Sequence, residues 1–518
     1  MSRISVSNLT FNYDNSAEYV FENLYLTLDT DWKLGLIGRN GKGKTTFLNL
    51  LMGKYEYSGK ISSNAGFDYF PYEVNGEQEK LTASELIDLW KPGVEEWKVI
   101  CELTRLELEA DVLYRPFETL SYGEKSKVML AVLFSGENDF LLIDEPTNHL
   151  DINARDVIGR YLGSKKGFIL VSHDRKLLDE CVDHVLVLNR ETIEIQSGNF
   201  SSWWENKEKK DRFAIAENEK HLKEIDKLQA AMSRTSNWAG KSEESKIGFD
   251  PIKEHDRYLD TRAYIGSKTK KMQARVKSFE KRVEREVEEN RGKLKDIERV
   301  GKLKLIPQNY NKSRLVRLHD YSGMYDNERK MVLNHITLEI KQGDICFLIG
   351  NNGCGKSTML KAILNASGYS KELPDNYYES GEIETASGLV ISYVSQDTSM
   401  IKGSLKDYAS EKHLDYSLLL TILQKLGMNR TQFNYDMDNF SEGQKKKVLI
   451  AASLISKAHL YIWDEPLNYI DVFSRMQIED MIKEYAPTML IVEHDSSFRE
   501  NINGSSIYIT PEGMLEER

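Results

Sequence analysis

The sequence predicts an α/β protein in which two similar domains are joined by an antiparallel α-helical hairpin. Three observations carry this prediction. The chain has 518 residues, more than one ordinary domain holds. A glycine-rich motif occurs twice, at 38–45 and 350–357, and apolar residues with helical spacing run through a charged segment between the copies. We expect a first α/β domain at 1–204, a hairpin at 205–305 and a second α/β domain at 306–518.

Composition narrows the class of protein. The 70 Lys and Arg residues are outnumbered by 81 Asp and Glu residues, which gives a net charge of −11. This charge excludes a protein that binds nucleic acid through an overall basic surface. Apolar runs are far shorter than the ~20 residues that span a bilayer, and the N-terminus lacks the apolar stretch of a signal peptide. The four cysteines are dispersed, without a zinc or disulfide pattern. We therefore expect a cytoplasmic protein that does not enter membranes.

The repeated motif is a phosphate-binding loop. Gly38-Arg-Asn-Gly-Lys-Gly-Lys-Thr45 matches Gly350-Asn-Asn-Gly-Cys-Gly-Lys-Ser357, each copy between a short apolar run and a helical pattern. Glycines let backbone N–H groups surround phosphate oxygens at a helix N-terminus, while the lysine reaches the terminal phosphates and the hydroxyl residue holds Mg²⁺. The predicted ATP-binding residues are Gly38, Asn40, Gly41, Gly43, Lys44, Thr45, Thr46, Gly350, Asn352, Gly353, Gly355, Lys356, Ser357 and Thr358.

Two acids follow each loop at matched distances. Asp144 and Asp464 end apolar runs and are predicted to lie on the Mg²⁺ side, together with Thr45 and Ser357. The next residues, Glu145 and Glu465, are placed to polarise the attacking water. Because both halves keep both acids, we expect two hydrolytically competent sites that use ATP and Mg²⁺.

Histidines and tyrosines recur at matched positions as well. His173 and His494 follow apolar runs and are predicted to face the γ-phosphate; a purely structural role is the alternative. Tyr13 and Tyr325 each precede a P-loop by 25 residues, where an aromatic ring can stack on adenine. The alternative for each tyrosine is an ordinary position in a strand or turn.

The segment between the halves differs in charge and pattern. Residues 205–305 hold 27 Lys and Arg against 20 Asp and Glu. Apolar residues recur at steps of three, four or seven on its second limb, as Val276, Phe279, Val283, Val287, Leu294 and Ile297, and less regularly on its first limb, as Ile215, Leu222, Ile225 and Met232. Glycine and proline interrupt the pattern at 239–267, which we predict to be the loop at the hairpin tip. A solvated spacer is the alternative.

Two further motifs carry a family resemblance. Leu120-Ser-Tyr-Gly-Glu-Lys125 and Phe440-Ser-Glu-Gly-Gln-Lys445 resemble the signature loop of ATP-binding-cassette (ABC) ATPases. In that family the signature of one half closes on the nucleotide of the other. The resemblance therefore implies that Ser441, Gly443 and Gln444 complete the first site and that Ser121, Gly123 and Glu124 complete the second, by intramolecular closure of a monomer.

Two such halves on one chain with a charged hairpin are similar to the ABC-F translation factors. Glu-Pro-Thr-Asn-His-Leu-Asp at 145–151 is typical of ABC-F proteins, and Glu-Pro-Leu-Asn-Tyr-Ile-Asp at 465–471 is similar to the Lsa-type antibiotic-resistance branch. The family's Q-loop glutamine, a Mg²⁺ ligand, is present as Gln396, but Tyr72 occupies its place in the first half. This departure bears on Mg²⁺ coordination in the first site.

The ABC-F resemblance implies the 70S ribosome as partner, with binding in the exit site, contact to 23S rRNA and P-site tRNA, and the hairpin directed to the peptidyl transferase centre. It implies no membrane or DNA partner. A local basic stripe on the second limb suits RNA phosphates. The predicted ribosome-binding residues are Arg257, Tyr258, Leu259, Arg262, Lys268, Lys270, Lys271, Arg275 and Lys277. Self-packing of the loop is the alternative for the tip residues.

These observations predict an ATP-hydrolysing ABC-F protein that protects the ribosome from peptidyl-transferase-centre inhibitors of the lincosamide, pleuromutilin and streptogramin A classes. A housekeeping translation factor and the ATPase subunit of a membrane transporter are the alternatives. DNA-repair ABC proteins fit worst, because the zinc-binding cysteines expected there are missing.

Overall fold

A computed structural model describes residues 3–13, 19–136, 139–148, 150–188, 193–247, 260–292, 301–326, 331–371, 373–374, 376–510 and 512–517. They form two compact units. One contains the described parts of Met1–Trp203 and Val300–Arg518, and the other contains those of Trp204–Arg299. Both α/β halves therefore belong to the first unit, and the helical segment forms the second.

The first half alternates strands and helices. Its strands are β1 (Arg3–Phe11), β2 (Phe21–Asp29), β3 (Lys33–Gly38), β4 (Ser58–Ser62), β5 (Gly66–Phe70), β6 (Asp139–Asp144), β7 (Phe168–Val171), β8 (His184–Leu188) and β9 (Ile193–Ser197). Its helices are α1 (Lys44–Leu51), α2 (Ala83–Trp90), α3 (Glu96–Arg105), α4 (Tyr122–Phe134), α5 (Ile152–Gly163) and α6 (Arg175–Cys181).

The helical unit and the second half follow. Helix α7 is Phe200–Ile247 and helix α8 is Asp260–Gly292. The later strands are β10 (Arg314–Tyr325), β11 (Met331–Lys341), β12 (Ile345–Ile349), β13 (Tyr377–Thr385), β14 (Ile391–Val394), β15 (Leu460–Asp464), β16 (Met489–Val492), β17 (Ser505–Ile509) and β18 (Leu515–Glu517). The later helices are α9 (Lys356–Ala366), α10 (Leu405–Glu411), α11 (Tyr416–Lys425), α12 (Glu442–Ile455), α13 (Val472–Tyr485) and α14 (Ser496–Ile502).

Each half contains the same pair of sheets. Within the described residues, one sheet of the first half has the order β5-β6-β7-β3-β8-β9, and its counterpart has the order β14-β15-β16-β12-β17-β18. The strands are parallel except for the antiparallel edge strands β9 and β18. Smaller antiparallel sheets, β2-β1-β4 and β11-β10-β13, accompany them. The central strands are buried apolar runs, as expected for parallel strands covered on both faces.

The parallel sheets decide where each site forms. In the first half β3, β6 and β7 are neighbours, so the residues that follow their carboxyl ends meet at one edge. The P-loop follows β3, Asp144 ends β6, and His173 comes two residues after β7. The second half repeats this arrangement with β12, β15 and β16. The duplicated α/β architecture predicted from the sequence is confirmed.

The helical unit is an antiparallel hairpin with a small apolar core. Ile225 of α7 packs with Val283 and Val287 of α8, and Leu228, Met232 and Phe279 flank this group. The His221 ring also lies 3.2 Å from the Asn290 side-chain oxygen. Of the seam predicted on the first limb, Ile215 and Leu222 are exposed instead. Leu294 and Ile297 lie outside the described residues.

The helices extend further into the predicted tip loop than the sequence pattern indicated. Helix α7 continues to Ile247 and α8 begins at Asp260, whereas the loop was expected to fill 239–267. The glycines that interrupt the apolar pattern include Gly240 and Gly266, and both lie inside the helices. A single glycine costs a helix only about 1 kcal/mol, so long flanking helices accommodate it. The tip between 248 and 259 lies outside the described residues.

Candidate functional site

Both P-loops have the backbone geometry of an anion cradle. Gly41 and Gly43 have φ of 78° and 88°, and Gly353 and Gly355 have φ of 77° and 101°, a left-handed region that favours glycine. Helices α1 and α9 begin directly after these loops, at Lys44 and Lys356. Each lysine donates from Nζ to the first glycine carbonyl of its own loop, at 2.7 and 2.8 Å. In both loops the backbone N–H groups and the lysine therefore lie together at a helix N-terminus, where an anion binds.

The hydroxyl residues of the P-loops contact the strand carboxylates. Thr45 Oγ1 donates to Asp144 Oδ2 at 2.8 Å, and Ser357 likewise donates to Asp464. Burial raises the pKa of both carboxyls, and these hydrogen bonds oppose the shift. Asp464 Oδ1 is buried and accepts no hydrogen bond among the described residues. Each site thus holds a hydroxyl and a carboxylate side by side.

The glutamates that follow are held in an unusual backbone conformation. Glu145 has φ of 52° and Glu465 has φ of 46°, positive values that cost a non-glycine residue about 1–3 kcal/mol. Burial, with the adjacent aspartate charge, raises the pKa of both glutamates. Both sites therefore share this backbone conformation at the second acid, a feature that sequence patterns do not reveal.

The histidines lie against those glutamates. His173 Nε2 is 3.2 Å from Glu145 Oε1, and His494 Nε2 is 3.7 Å from Glu465 Oε1. Burial lowers the pKa of His173 well below its ordinary value and that of His494 to about 3. Both imidazoles are therefore neutral near pH 7 and lie beside their glutamates as uncharged rings. Neither ring nitrogen of His494 makes a hydrogen bond among the described residues.

The tyrosines ahead of the P-loops contact the helices that follow those loops. The Tyr13 hydroxyl lies 2.7 Å from Thr46 Oγ1, and the Tyr325 hydroxyl lies 3.2 Å from Thr358 Oγ1. This matched contact places each ring beside its phosphate loop. Stacking on adenine stays a prediction for both residues.

The second half completes the first site. A cavity of about 340 Å³ is lined by first-half residues that include Lys44, Glu145 and His173, and by Ser441 and Gly443 of the second half. Asn40 Nδ2 donates to the Tyr469 carbonyl at 2.6 Å across the same boundary. Of the three residues predicted to complete the first site, the structure places Ser441 and Gly443 in this cavity, whereas Gln444 does not line it.

The second site is completed only in part. Its cavity of about 420 Å³ is lined by Tyr325, Asn352, Gly353, Gly355, Lys356, Ser357, Thr358, Gln396 and Glu465, with Tyr122 from the first half. Ser121 and Gly123 line another cavity of about 420 Å³. Asn352 lines both this cavity and the cavity that contains Lys356. Of the first half's signature, Tyr122 therefore lines the cavity that contains Lys356, whereas Ser121 and Gly123 line the neighbouring cavity.

Two predicted ATP contacts have a structural role here. Glu124 Oε2 accepts from the Ser121 N–H at 2.7 Å, and Ser121 Oγ accepts from the Glu124 N–H at 3.2 Å. Ser441 and Gln444 form the same reciprocal pair, with the Ser441 N–H donating at 2.8 Å and the Gln444 N–H donating at 3.3 Å. These are capping boxes, which begin α4 and α12. Gln444 and Glu124 therefore position the signature serines, and their contact with ATP stays a prediction.

The two Q-loop positions differ in what they touch. Gln396 Nε2 donates to Glu465 Oε2 at 2.8 Å, whereas it was predicted among the Mg²⁺ ligands with Ser357 and Asp464. Tyr72 donates to Asp68 Oδ2 at 2.8 Å and stacks on Trp90, with ring centroids 5.0 Å apart. The tyrosine is therefore fixed by a separate set of contacts and does not reach the acids of the first site.

A buried ion pair that the sequence did not predict contacts the P-loop of the first site. Asp471 Oδ2 accepts from Lys447 Nζ at 2.7 Å and from the Asn40 N–H at 3.5 Å, and both charged side chains are buried. Burial raises the pKa of Asp471, but Lys447 and the Ser474 N–H outweigh this and lower it. Asp471 belongs to the repeated Glu-Pro motif, so its recurrence at Asp151 was the available signal.

A buried ion pair crosses the boundary between the halves. Both Arg175 guanidinium Nη atoms contact the two carboxylate oxygens of Glu479, and Asn501 Nδ2 donates to Glu479 Oε2 at 3.1 Å. Arg175 is 7% exposed and Glu479 is 3% exposed. No sequence motif points to this pair, because its members are 304 residues apart.

The basic stripe of the hairpin is described for four of its predicted members. Lys270, Lys271, Arg275 and Lys277 are exposed on α8. Arg257, Tyr258 and Leu259 lie outside the described residues, as do the side chains of Arg262 and Lys268. Exposed cations along one helix are available for phosphate contacts.

Comparison with known proteins agrees with this geometry. The family model described as "ABC transporter" matches residues 21–148 and 333–468. The chain is 27% identical to the ribosome protection protein VmlR of Bacillus subtilis, over 99% of this chain and 88% of VmlR. It is 25% identical to the erythromycin resistance ATP-binding protein MsrA of Staphylococcus epidermidis, over 98% of this chain and 95% of that protein.

Solved structures share the fold. The archaeal ribosome recycling factor aABCE1, crystallised with the ribosomal stalk protein aP1, aligns with a TM-score of 0.59 at 20% identity, over 97% of this chain and 87% of that one. A structure of RNase-L Inhibitor aligns with a TM-score of 0.57 over the same shares. In the part of this chain that the structure describes, no helix is long and apolar enough to cross a membrane.

Proposed function

Because the chain belongs to the ABC transporter family of ATP-binding cassettes and within it to the tandem ABC-F ATPases, we propose that it uses ATP to protect ribosomes from peptidyl-transferase-centre antibiotics. The observation that carries the proposal is the combination of two complete sets of phosphate-binding residues with a basic hairpin. The similarity to the ribosome protection protein VmlR over nearly the whole chain supports it.

The side chains of each site have different roles in ATP hydrolysis. The P-loop N–H groups with Lys44 or Lys356 hold the phosphates, and Glu145 or Glu465 orients the attacking water and takes its proton. The neutral imidazole of His173 or His494, beside that glutamate, fixes the water and the γ-phosphate. Signature residues of the opposite half, with Ser441 and Gly443 already at the first site, close over the nucleotide within one monomer.

The residues present fit a magnesium ion in each site. A hydroxyl and a carboxylate are adjacent at Thr45 and Asp144, and the buried Asp464 Oδ1 accepts no hydrogen bond among the described residues. Oxygen donors of this kind are the ligands that Mg²⁺ prefers. Thr45, Asp144, Ser357 and Asp464 would hold the ion, with Gln396 beside the second. When bound, it neutralises charge on the phosphates.

The hairpin supplies the ribosome-binding surface in this proposal. Its charge is opposite in sign to that of the rest of the chain, and the described cations Lys270, Lys271, Arg275 and Lys277 are exposed. We place the ATP-closed chain in the exit site of the 70S ribosome, in the cytoplasm, with α8 against 23S rRNA. The tip, including Arg257, Tyr258 and Leu259, then extends toward the peptidyl transferase centre and P-site tRNA.

Sedimentation of a hydrolysis-deficient variant tests ribosome binding. The double variant Glu145→Gln with Glu465→Gln keeps the P-loops but removes the carboxylates that take the proton of the attacking water. Because bound ATP is then not hydrolysed, the chain should stay closed on 70S particles. Immunoblots of sucrose-gradient fractions should show co-migration with ATP and none without it. Lys44→Ala with Lys356→Ala in the same background is the matched control and should stay at the top of the gradient. A double glutamine variant that also stays there contradicts the proposal.

A translation extract tests the resistance step. Wild-type protein with ATP should restore synthesis that is inhibited by a lincosamide, a pleuromutilin or a streptogramin A. Erythromycin is a useful fourth arm, because MsrA is described as an erythromycin resistance protein. Replacing Lys270, Lys271, Arg275 and Lys277 by glutamate should abolish rescue while ATPase activity persists. Absence of rescue with all three predicted classes contradicts this drug spectrum.

A housekeeping translation factor is the second candidate, because a relative whose name states no resistance function also matches nearly the whole chain. This relative is the ATP-binding protein Uup of Buchnera aphidicola (26% identical over 99% of this chain and 82% of Uup). Deletion of the gene discriminates between the candidates. A resistance protein changes drug sensitivity, whereas a housekeeping factor changes growth or translation without drug. Co-sedimentation with membranes rather than ribosomes would instead identify the ATPase subunit of a transporter.

A further inference from the structure

We infer that Tyr69 is a positioning residue of the first ATP site, where its hydroxyl orients the Asp144 carboxylate. The Tyr69 hydroxyl donates to Asp144 Oδ2 at 3.2 Å. The same oxygen accepts from Thr45 Oγ1 at 2.8 Å. Two donors carried by different elements, β5 and α1, restrict rotation of the carboxylate about its Cβ–Cγ bond. The inference rests on the proposed assignment of Asp144 to the Mg²⁺ side of the site.

Strand register places the tyrosine there. Strands β5 and β6 are parallel, with Tyr69 opposite Leu142 and Phe70 opposite Ile143. Tyr69 therefore stands two residues short of Asp144, and its long side chain reaches forward to the carboxylate at the strand end. The ring is held separately, because Lys54 Nζ lies 5.3 Å from its centroid. Removing the hydroxyl should leave the ring in place.

The neighbouring Q-loop residues have different contacts in the two sites. In the second site the Gln396 amide holds Glu465. In the first site the equivalent residue, Tyr72, is engaged by Asp68 and Trp90. Lys91 strengthens that arrangement through ion pairs with Asp68 at 2.8 Å and Asp139 at 3.1 Å. In the second half Tyr393 lies opposite Ile462, the register position that Tyr69 holds in the first half. The two Q-loop residues therefore differ in their contacts, whereas the strand position holds a tyrosine in both halves.

The hydroxyl contact predicts a defect in magnesium use rather than in nucleotide affinity as such. Tyr69→Phe is made in the full chain with Lys356→Ala, which restricts tight binding to the first site. Binding of a fluorescent ATP analogue is followed during titration with MgCl₂ and separately in EDTA. We expect the Mg²⁺ concentration for half-maximal binding to rise about three- to ten-fold, the size of one hydrogen bond, with binding in EDTA unchanged.

Two variants in the same background serve as controls. Tyr72→Phe removes a nearby hydroxyl that contacts Asp68 instead, so the Mg²⁺ midpoint should not move. Asp144→Asn should raise the midpoint more than Tyr69→Phe does. If Asp144→Asn has no effect, the assignment of the Mg²⁺ side is wrong, and the inference about Tyr69 is overturned with it.

The inference fails alone if Asp144→Asn raises the midpoint and Tyr69→Phe does not. It also fails if Tyr69→Phe weakens binding equally with Mg²⁺ and in EDTA, because that result indicates a general packing defect. The assay contains no ribosomes, so its outcome is independent of the ribosome-protection proposal.

Discussion

The two ATP sites share their phosphate chemistry but differ in how the opposite half meets them. In both sites a P-loop lysine, a hydroxyl, two acids and a histidine have nearly the same contacts. Ser441 and Gly443 line the first cavity, however, whereas Ser121 and Gly123 stay outside the cavity that contains Lys356. The two sites therefore differ in which signature residues of the opposite half line the cavity of the P-loop lysine: Ser441 and Gly443 at the first site, and Tyr122 at the second.

One ion pair across the boundary also has no counterpart. Arg175 follows His173-Asp174, but Ser496 occupies the matching position after His494-Asp495. Glu479 lies four residues after Arg475, and Gly159 lies four residues after Arg155. Neither member of the Arg175–Glu479 pair therefore has a charged counterpart, so the ion pair exists once. We expect this pair to hold the first site closed more firmly than the second.

Breaking that ion pair should give the largest effect. Arg175→Ala leaves the Glu479 carboxylate buried without its cation, which costs about 3–5 kcal/mol. We expect the halves to separate, measured as a loss of energy transfer between labels on the two halves and a lower midpoint of thermal unfolding.

The charge swap Arg175→Glu with Glu479→Arg should recover more than half of that loss, because it restores an ion pair across the boundary. Ser496→Ala is the matched control at the equivalent position and should change stability by less than about 0.5 kcal/mol. A swapped protein no better than Arg175→Ala would show that the pair is incidental to closure.

Replacing each signature glycine by alanine should give the next largest effect, with a greater loss of ATP turnover for the glycine at the first site than for the one at the second. At Gly443 a Cβ would lie 2.5 Å from the Tyr469 carbonyl oxygen and 2.9 Å from Asn40 Nδ2. At Gly123 its nearest neighbour would be Ala154 Cβ at 3.8 Å. Because overpacking costs about 1–3 kcal/mol, Gly443→Ala should lower ATP turnover about ten- to hundred-fold and Gly123→Ala less than about two-fold. Equal losses in steady-state ATPase assays would indicate that both sites close equally during turnover.

The Q-loop positions should differ by a smaller amount. Gln396→Ala removes the hydrogen bond to the Glu465 carboxylate, and such bonds to charged groups contribute about 1.5–3 kcal/mol. We expect turnover to fall about ten-fold in the ATPase assay. Tyr72→Phe, which affects only the contact with Asp68, should change it less than about two-fold. A large effect of Tyr72→Phe would mean that this tyrosine reaches the site during turnover.

The tyrosines ahead of the P-loops should show the smallest effect and the least difference between sites. Tyr13→Ala and Tyr325→Ala each remove a ring predicted to stack on adenine, an interaction of about 0.5–1.5 kcal/mol. ATP binding in equilibrium titrations should weaken about three-fold in either variant, while Tyr13→Phe and Tyr325→Phe keep most of the affinity. Equal losses in the phenylalanine and alanine variants would assign the effect to the hydroxyl contacts with Thr46 and Thr358 instead.

Much of the architecture could be predicted because its signals are local. The P-loops, the strand acids and the histidines each lie in a short motif next to an apolar run, and the fold brings such strand ends to one edge. The hairpin was predictable from its apolar seam. Its tip boundaries were not, because long helices continue through Gly240 and Gly266 and composition does not record how far they extend.

The sequence alone established the duplicated α/β architecture, the ABC-F resemblance and the residue types of both ATP sites, since each depends on neighbours within a few positions of the chain. Only the tertiary structure revealed which signature residues line each cavity, the Arg175–Glu479 pair and the contact between Tyr69 and Asp144. The last two contacts join residues that are 304 and 75 positions apart. Their contacts depend on strand register and on the packing of one half against the other, which no local pattern encodes.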